Sequence, residues 1–324
     1  MDRLNFKFTG QLSDTNRMDF YEAARFQYAA ARLSVKLDQF RRTGRFSQRV
    51  TTQTKTDIDL HTFVAGSFEM QISAVEDSTN ALKIPVPLNA LWAYVLERTF
   101  QPTETSAALD MIDNNALRAE FFQIIDENVF ESDQAIALLR RSLANSGILN
   151  PPEKELLDRL ISESERRAYL RSHQNLFELI SPEQDAAIMT MAAPLVSEMA
   201  VPLRRSAKLA EISLIEAGRR HSILVADRAM AESIESIRID KTVSSIDINV
   251  VQYNKESGWG KFRNRLWSGI PSFNLPADRK SRMKFDIVRA MREEKVSATG
   301  YIVRSAGGEP IRLILVDIDL IDEI

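Results

Sequence analysis

Apolar and polar positions alternate from the start of the chain. Leu4, Phe6 and Phe8 are interleaved with Asn5, Lys7 and Thr9, the period-two pattern of a strand with one buried face. From about Met18 to Thr43 the period becomes helical and two stripes emerge: Phe20, Ala24, Tyr28, Ala31 and Val35 on one side, Phe26, Ala30, Leu33, Leu37 and Phe40 on another. A helix apolar on two sides needs cover on two sides, so a sheet is expected on one and the helical region or another subunit on the other. Gly44 suits the end of this helix. Two further strands follow, Ile58, Leu60 and Thr62 against Asp57, Asp59 and His61, then Phe68, Met70 and Ile72 against Ser67, Glu69 and Gln71, with Ala65-Gly66 as the turn. Residues 1–80 therefore read as a small β-α-β-β unit.

Residues 81–240 carry mostly helical periodicity. Leu88, Leu91, Trp92 and Val95 share one face after Pro85 and Pro87. Leu117, Phe121 and Ile124 form another, and Ile136, Leu139 and Leu143 a third, closed by Gly147. Asn150-Pro151-Pro152-Glu153 and Ser181-Pro182-Glu183-Gln184 each combine a cap residue, a proline at the first helical position and a carboxylate or amide three residues on. The second of these helices is rich in alanine and methionine and holds Pro194, which would bend it. Glu211 to Glu216 predicts a short strand ending near Gly218, and a last helix is expected from about Asp227 to Ile237.

From Ser244 the period returns to two. Strands are predicted at Ser244–Tyr253, Trp259–Leu266, Ser272–Leu275, Val296–Arg304 and Ile311–Leu320, with a helix near Asp278–Arg292 between the third and fourth. Strand–strand–strand–helix–strand–strand is the element order of an OB-fold barrel. The expected class is thus α+β: a β-α-β-β unit, a helical middle, and a five-stranded OB-like barrel over 244–324.

Composition narrows function mainly by exclusion. The 324 residues are 44% hydrophobic and 27% charged, ordinary for a soluble globular chain, and contain no cysteine, which removes disulfides and thiolate metal sites. The N-terminus lacks the apolar run of a signal peptide, and Ala186–Ser197 is shorter than the roughly 20 residues that span a bilayer, so a cytoplasmic protein without membrane contact is expected. His61, His173 and His221 lie in no ligand spacing. Asp57, Asp59 and His61 fall on one strand face and read as a solvated edge rather than a metal site. There is no P-loop, because Phe262 follows Gly260-Lys261 where serine or threonine would hold magnesium. Nucleophile elbow, zinc-protease and dinucleotide signatures are also absent, so no cofactor, metal or catalytic residue is assigned.

Charge is uneven. Between Lys255 and Lys295, eleven Lys/Arg face five Asp/Glu, a balance of +6 in a chain of net −3, which leaves −9 for the remainder. Such asymmetry suits an anionic partner. In the basic run Arg41, Arg42, Arg45 and Arg49 past the first helix the dipole accounts for the first two, with phosphate binding as the alternative, and Arg204, Arg205, Arg219 and Arg220 are expected to pair with nearby acids, the alternative being convergence on an anion. Asp317, Asp319, Asp322 and Glu323 read as a solvated acidic end.

Within the basic segment, Tyr253-Asn254, three spacer residues, Gly258-Trp259-Gly260 and Phe262 resemble the first hairpin of cold-shock-type OB domains, and Ser272-Phe273-Asn274-Leu275 lies where the second aromatic motif falls. Ser257 and Lys261 stand where that family has a lysine and an exposed aromatic, and the helix is longer. The resemblance implies single-stranded nucleic acid as partner. Trp259 and Phe273 would stack on bases beside Tyr253, and Lys255, Lys261, Arg263 and Arg265 would follow phosphates. The alternative is an assembly or accessory subunit of a bacterial multi-protein system, such as a defence system. There the barrel and the two-faced helices contact protein, as a homo-oligomer or with another chain.

Overall fold

The computed structural model describes residues 3–46, 58–61, 68–74, 82–100, 103, 119, 137, 140–141 and 150–320, apart from 217, 236–237, 241, 256–257, 266, 268–269 and 305–309. The expected helical faces at Leu117–Ile124 and Ile136–Leu143, the turn at Ala65-Gly66, and Arg49, Asp57, Asp322 and Glu323 lie outside these residues.

Strand β1 (Arg3–Thr9) sits at the centre of an antiparallel sheet. It pairs with β3 (Phe68–Ala74) on one side and β4 (Leu209–Glu216) on the other, and β2 (Ile58–His61) and β5 (Arg219–Asp227) close the order β2-β3-β1-β4-β5. Register puts Leu4 opposite Ile72 and Leu214, and Phe6 opposite Met70 and Ile212. The alternating apolar positions of three strands therefore merge into one buried face. Helix α1 (Phe20–Thr43) lies across it, begun by Asp19, whose carboxylate accepts the N–H groups of Tyr21 and Glu22. Its Phe26 ring meets Phe6 and Phe8 edge-on, with centroids 5.3 and 4.9 Å away.

Sheet and helical middle interlock across residue 80. β4 is the strand expected from Glu211–Glu216, but it joins the N-terminal sheet. β5 has no counterpart in the sequence reading, because its interior, Ile223 to Ala226, is apolar on every residue rather than on alternate ones. Continuous apolarity marks a strand covered on both faces, and for a run this short it resembles a buried helix segment. The cover is α3 (Pro151–Ser172): Arg166 donates to the Ile223 carbonyl at 2.7 Å, and Glu165 accepts the Ser222 N–H at 2.7 Å. Side chains of a helix thus satisfy the edge of the sheet.

Helix α2 (Leu88–Thr99), expected to bury one face, is buried along its whole length and runs through the core with Trp92 and Tyr94. Its charged residues are paired: Glu97 accepts from Arg166 at 2.7 Å and lies 3.5 Å from Arg167. Burial alone would raise the Glu97 pKa, and the two guanidiniums outweigh it and hold the carboxyl below its usual range. Both predicted capping boxes form, Asn150 with Glu153 at α3 and Ser181 with Gln184 at α4 (Pro182–Met199); Pro194 lies inside α4, which continues to Met199. A short helix, α5 (Arg228–Glu235), and the two-residue strand β6 (Arg238–Ile239) lead into the barrel.

The C-terminal part is a closed five-stranded mixed barrel, OB-like in its order. β7 (Ser244–Tyr253) pairs with β8 (Trp259–Arg263) and β8 with β9 (Ser272–Asn274). β9 runs parallel to β11 (Pro310–Leu320), and β11 and β7 both pair with β10 (Val296–Arg304). Helix α6 (Ala277–Ala290) connects β9 to β10 and sends Met283, Ile287 and Ala290 into the barrel core. The barrel docks on the helical layer through Met189 of α4, which packs among Tyr301, Val303, Ile314 and Val316. Beside it Asp185 is fully buried and gathers Tyr94, Arg98, Arg279 and Tyr301. Burial and the nearby Asp185 carboxylate push the Tyr301 hydroxyl well above its usual range.

Candidate nucleic-acid interface on the barrel

Strand β8 separates two kinds of residue. Gly260 and Phe262 face inward: Phe262 belongs to the barrel core, and a Cβ on residue 260 would lie 2.2 Å from the Phe273 ring. Trp259, Lys261 and Arg263 alternate with them and face out. Gly258, at φ 73°, makes the preceding turn and donates to the Asn254 carbonyl at 2.9 Å, while Asn254 donates to the Trp259 carbonyl at 2.7 Å. The glycines and Asn254 of the recognised motif therefore shape the hairpin.

The seven residues singled out from sequence divide accordingly. Lys255, in the turn, and Lys261, Arg263 and Arg265 are exposed, and among the described residues none of the four is held in an ion pair. Trp259 is half-buried beside them. Tyr253 and Phe273 belong with the interior: Tyr253 packs on the barrel core, its ring stacked 6.1 Å from that of Phe273, and Phe273 is 0% exposed. As placed, Phe273 offers no face to a base. It lies between Gly260 and Leu313 because the parallel β9–β11 pairing points it into the barrel.

Register extends the outer face across three strands. Lys261 is opposite Ser272, and Ser272 is opposite Arg312; in the next row Trp259 is opposite Asn274, and Asn274 is opposite Ile314. Neighbouring strands lie about 4.8 Å apart, so each row places its outer side chains side by side. Arg312 was not singled out from sequence, although a charge inside the apolar run of β11 was the available signal. It is 5% exposed, and its Nε and Nη2 are enclosed without a hydrogen bond. Its guanidinium carbon lies 5.3 Å from the Trp259 ring centroid. Burial lowers its pKa from the usual guanidinium range to about 10, which leaves it charged at neutral pH. The Asn274 side-chain oxygen is also enclosed without a partner.

Four of the other basic groups are paired locally. Arg42 pairs with Asp38 at 2.8 Å and Arg41 lies 3.4 Å from the same carboxylate; Arg205 reaches Glu22 at 3.3 Å and Arg220 reaches Glu211 at 3.1 Å. Among the described residues no group of three or more His, Cys, Asp or Glu is placed to hold a metal ion, and no helix is long and apolar enough to cross a membrane. No family model, curated protein or solved structure matches the chain.

Proposed function

We propose that this is a non-enzymatic binding protein whose barrel holds single-stranded nucleic acid on the outer face of β8, β9 and β11. The observation that carries the reading is the exposed set Lys255, Lys261, Arg263 and Arg265, none ion-paired among the described residues, around the half-buried Trp259. Phosphates are neutralised by these exposed cations, and one aromatic ring supplies a sequence-tolerant stacking surface worth roughly 1–3 kcal/mol per base. The similarity to cold-shock-type hairpins supports the same face, with Trp259 as its aromatic platform in place of the Trp259–Phe273 pair.

Binding of a fluorescent oligothymidylate, followed by anisotropy against salt, tests this. Four phosphate contacts give a slope of log K on log salt near −3, at about −0.7 per contact. Lys261→Ala or Arg263→Ala lowers its magnitude by about 0.7, and Trp259→Ala weakens binding at all salt concentrations. No binding by the intact protein at low salt refutes the proposal.

A second reading, a protein-contacting assembly subunit, is favoured by α1. Its second stripe forms the core. From the first, Phe20 is 87% and Tyr28 64% exposed, and only Val35 is buried. The two-sided cover expected for α1 is therefore not supplied by the described residues. Tyr21, Tyr28, Met191 and Leu195 line a cleft of about 650 Å³ between α1 and α4. On this reading sedimentation shows a self-associated species that Phe20→Glu with Tyr28→Glu dissociates; a monomer throughout removes homo-oligomerisation.

A further inference from the structure

A buried guanidinium without an anion is costly, because desolvation of the charge goes uncompensated. Chains normally match such a group with a carboxylate, as Arg98 is matched by Asp185 and Arg166 by Glu97. Arg312 departs from that rule on the barrel's outer face. Among the described residues the electrostatic contact it makes is with the Trp259 ring, and two of its donor nitrogens are enclosed without a hydrogen bond. The surroundings are built for an anion rather than for a neutral group. In the same cross-strand row stand the Ser272 hydroxyl and the exposed ammonium of Lys261, and diagonally adjacent is Asn274, whose carboxamide presents an NH2 donor when rotated by half a turn. Arginine suits this role because its fork of N–H groups matches phosphate oxygens two at a time, and the Trp259 ring lies against it, 5.3 Å from centroid to guanidinium carbon.

We propose that Arg312, with Ser272, Asn274 and Lys261 around it and Trp259 against its guanidinium, is a phosphate-binding subsite on the outer face of the barrel. On the nucleic-acid reading given above, on which this identification of the ligand rests, the group bound is one phosphodiester of a single strand. The strand's neighbouring base then has Trp259 within reach. The ligand supplies a counter-charge that the described residues do not, so the unliganded protein carries a destabilising group that binding relieves, a common exchange of stability for function.

The test follows thermal unfolding of the full chain in inorganic phosphate and in chloride at matched ionic strength, together with anisotropy of the labelled oligothymidylate. Phosphate is expected to raise the wild-type midpoint above that in chloride, as any ligand of the native state does. Arg312→Met is expected to unfold a few degrees higher than wild type in chloride, to lose the phosphate response, and to bind the oligonucleotide at least tenfold more weakly. Arg312→Lys, a point charge in place of a fork, retains part of the response. The proposal is overturned if wild type shows no phosphate effect beyond chloride, if Arg312→Met responds like wild type, or if Arg312→Met is the less stable protein in chloride. A phosphate response that Arg312→Met abolishes, without oligonucleotide binding by wild type, keeps the subsite and removes the single-strand reading. Oligonucleotide binding that Arg312→Met leaves unchanged keeps that reading and removes the subsite.

Discussion

Removing the carboxylate of Asp185 should be among the most damaging single changes in this protein. Asp185 lies one turn into α4, its side chain 1% exposed, and Arg98 of α2 faces it with a side chain 0% exposed, Nε to Oδ1 3.3 Å. The Tyr94 hydroxyl donates to the same oxygen, the Arg98 guanidinium lies 3.4 Å above the Tyr94 ring, and Tyr301 of β10 donates to the carboxylate from the barrel side. Arg279 of α6 is 3.8 Å from Oδ2. Asp185→Ala deprives the buried Arg98 charge of this carboxylate, a loss of about 3–5 kcal/mol where one partner of an enclosed pair is deleted. The two tyrosine hydroxyls lose an acceptor as well, at about 1–3 kcal/mol each if left unsatisfied. These effects share one centre and do not add, so about 5 kcal/mol is expected, comparable with the whole stability of many domains. Urea unfolding followed by tryptophan fluorescence measures it, as a fall in midpoint at unchanged slope. Arg98→Met in the Asp185→Leu background is expected to recover most of the loss, because an apolar pair of similar volume needs no counter-charge. A loss under about 1 kcal/mol in Asp185→Ala, or no recovery in the double variant, would show that water or rearrangement already shields Arg98 and would refute the reasoning.

Two further outcomes follow from the same kind of geometry. Gly260→Ala places a methyl 2.2 Å from the Phe273 ring and 2.5 Å from the Gln252 carbonyl oxygen, so a loss of about 3 kcal/mol is expected in urea unfolding, partly restored by Phe273→Leu. Glu97 has a folded pKa below its unfolded value. Its contribution is therefore complete above the unfolded pKa and is lost as pH falls through the folded one. Glu97→Gln should accordingly destabilise by about 3 kcal/mol at neutral pH, and the gap to wild type should narrow in unfolding curves taken progressively below pH 4.5.

How far the fold could be read from sequence depended on whether one face or two were buried. β1, β7, β10 and β11 were legible to within a residue because each shows a period or a turn at its ends, and α3 and α4 because Asn150 and Ser181 announce them. α1 was legible as an element, yet its two stripes could not be ranked: the choice of Phe26 for the core and Phe20 for solvent is made by the sheet, which Phe6 and Phe8 supply from elsewhere in the chain. β5 was lost because α3 buries its second face and erases the alternation. The binding face shows the same limit at the level of single residues. Trp259 and Phe273 look alike in a motif, but strand pairing sends one outward and the other into the core. Arg312 carries no signal in a motif, and what marks it is burial without an acid partner among the described residues. A motif names residue types, whereas a binding surface is defined by which of them the register leaves outside and which charges the fold leaves unmatched. On that criterion the centre of the candidate site moves from the Trp259–Phe273 aromatic pair to the Trp259–Arg312 pair.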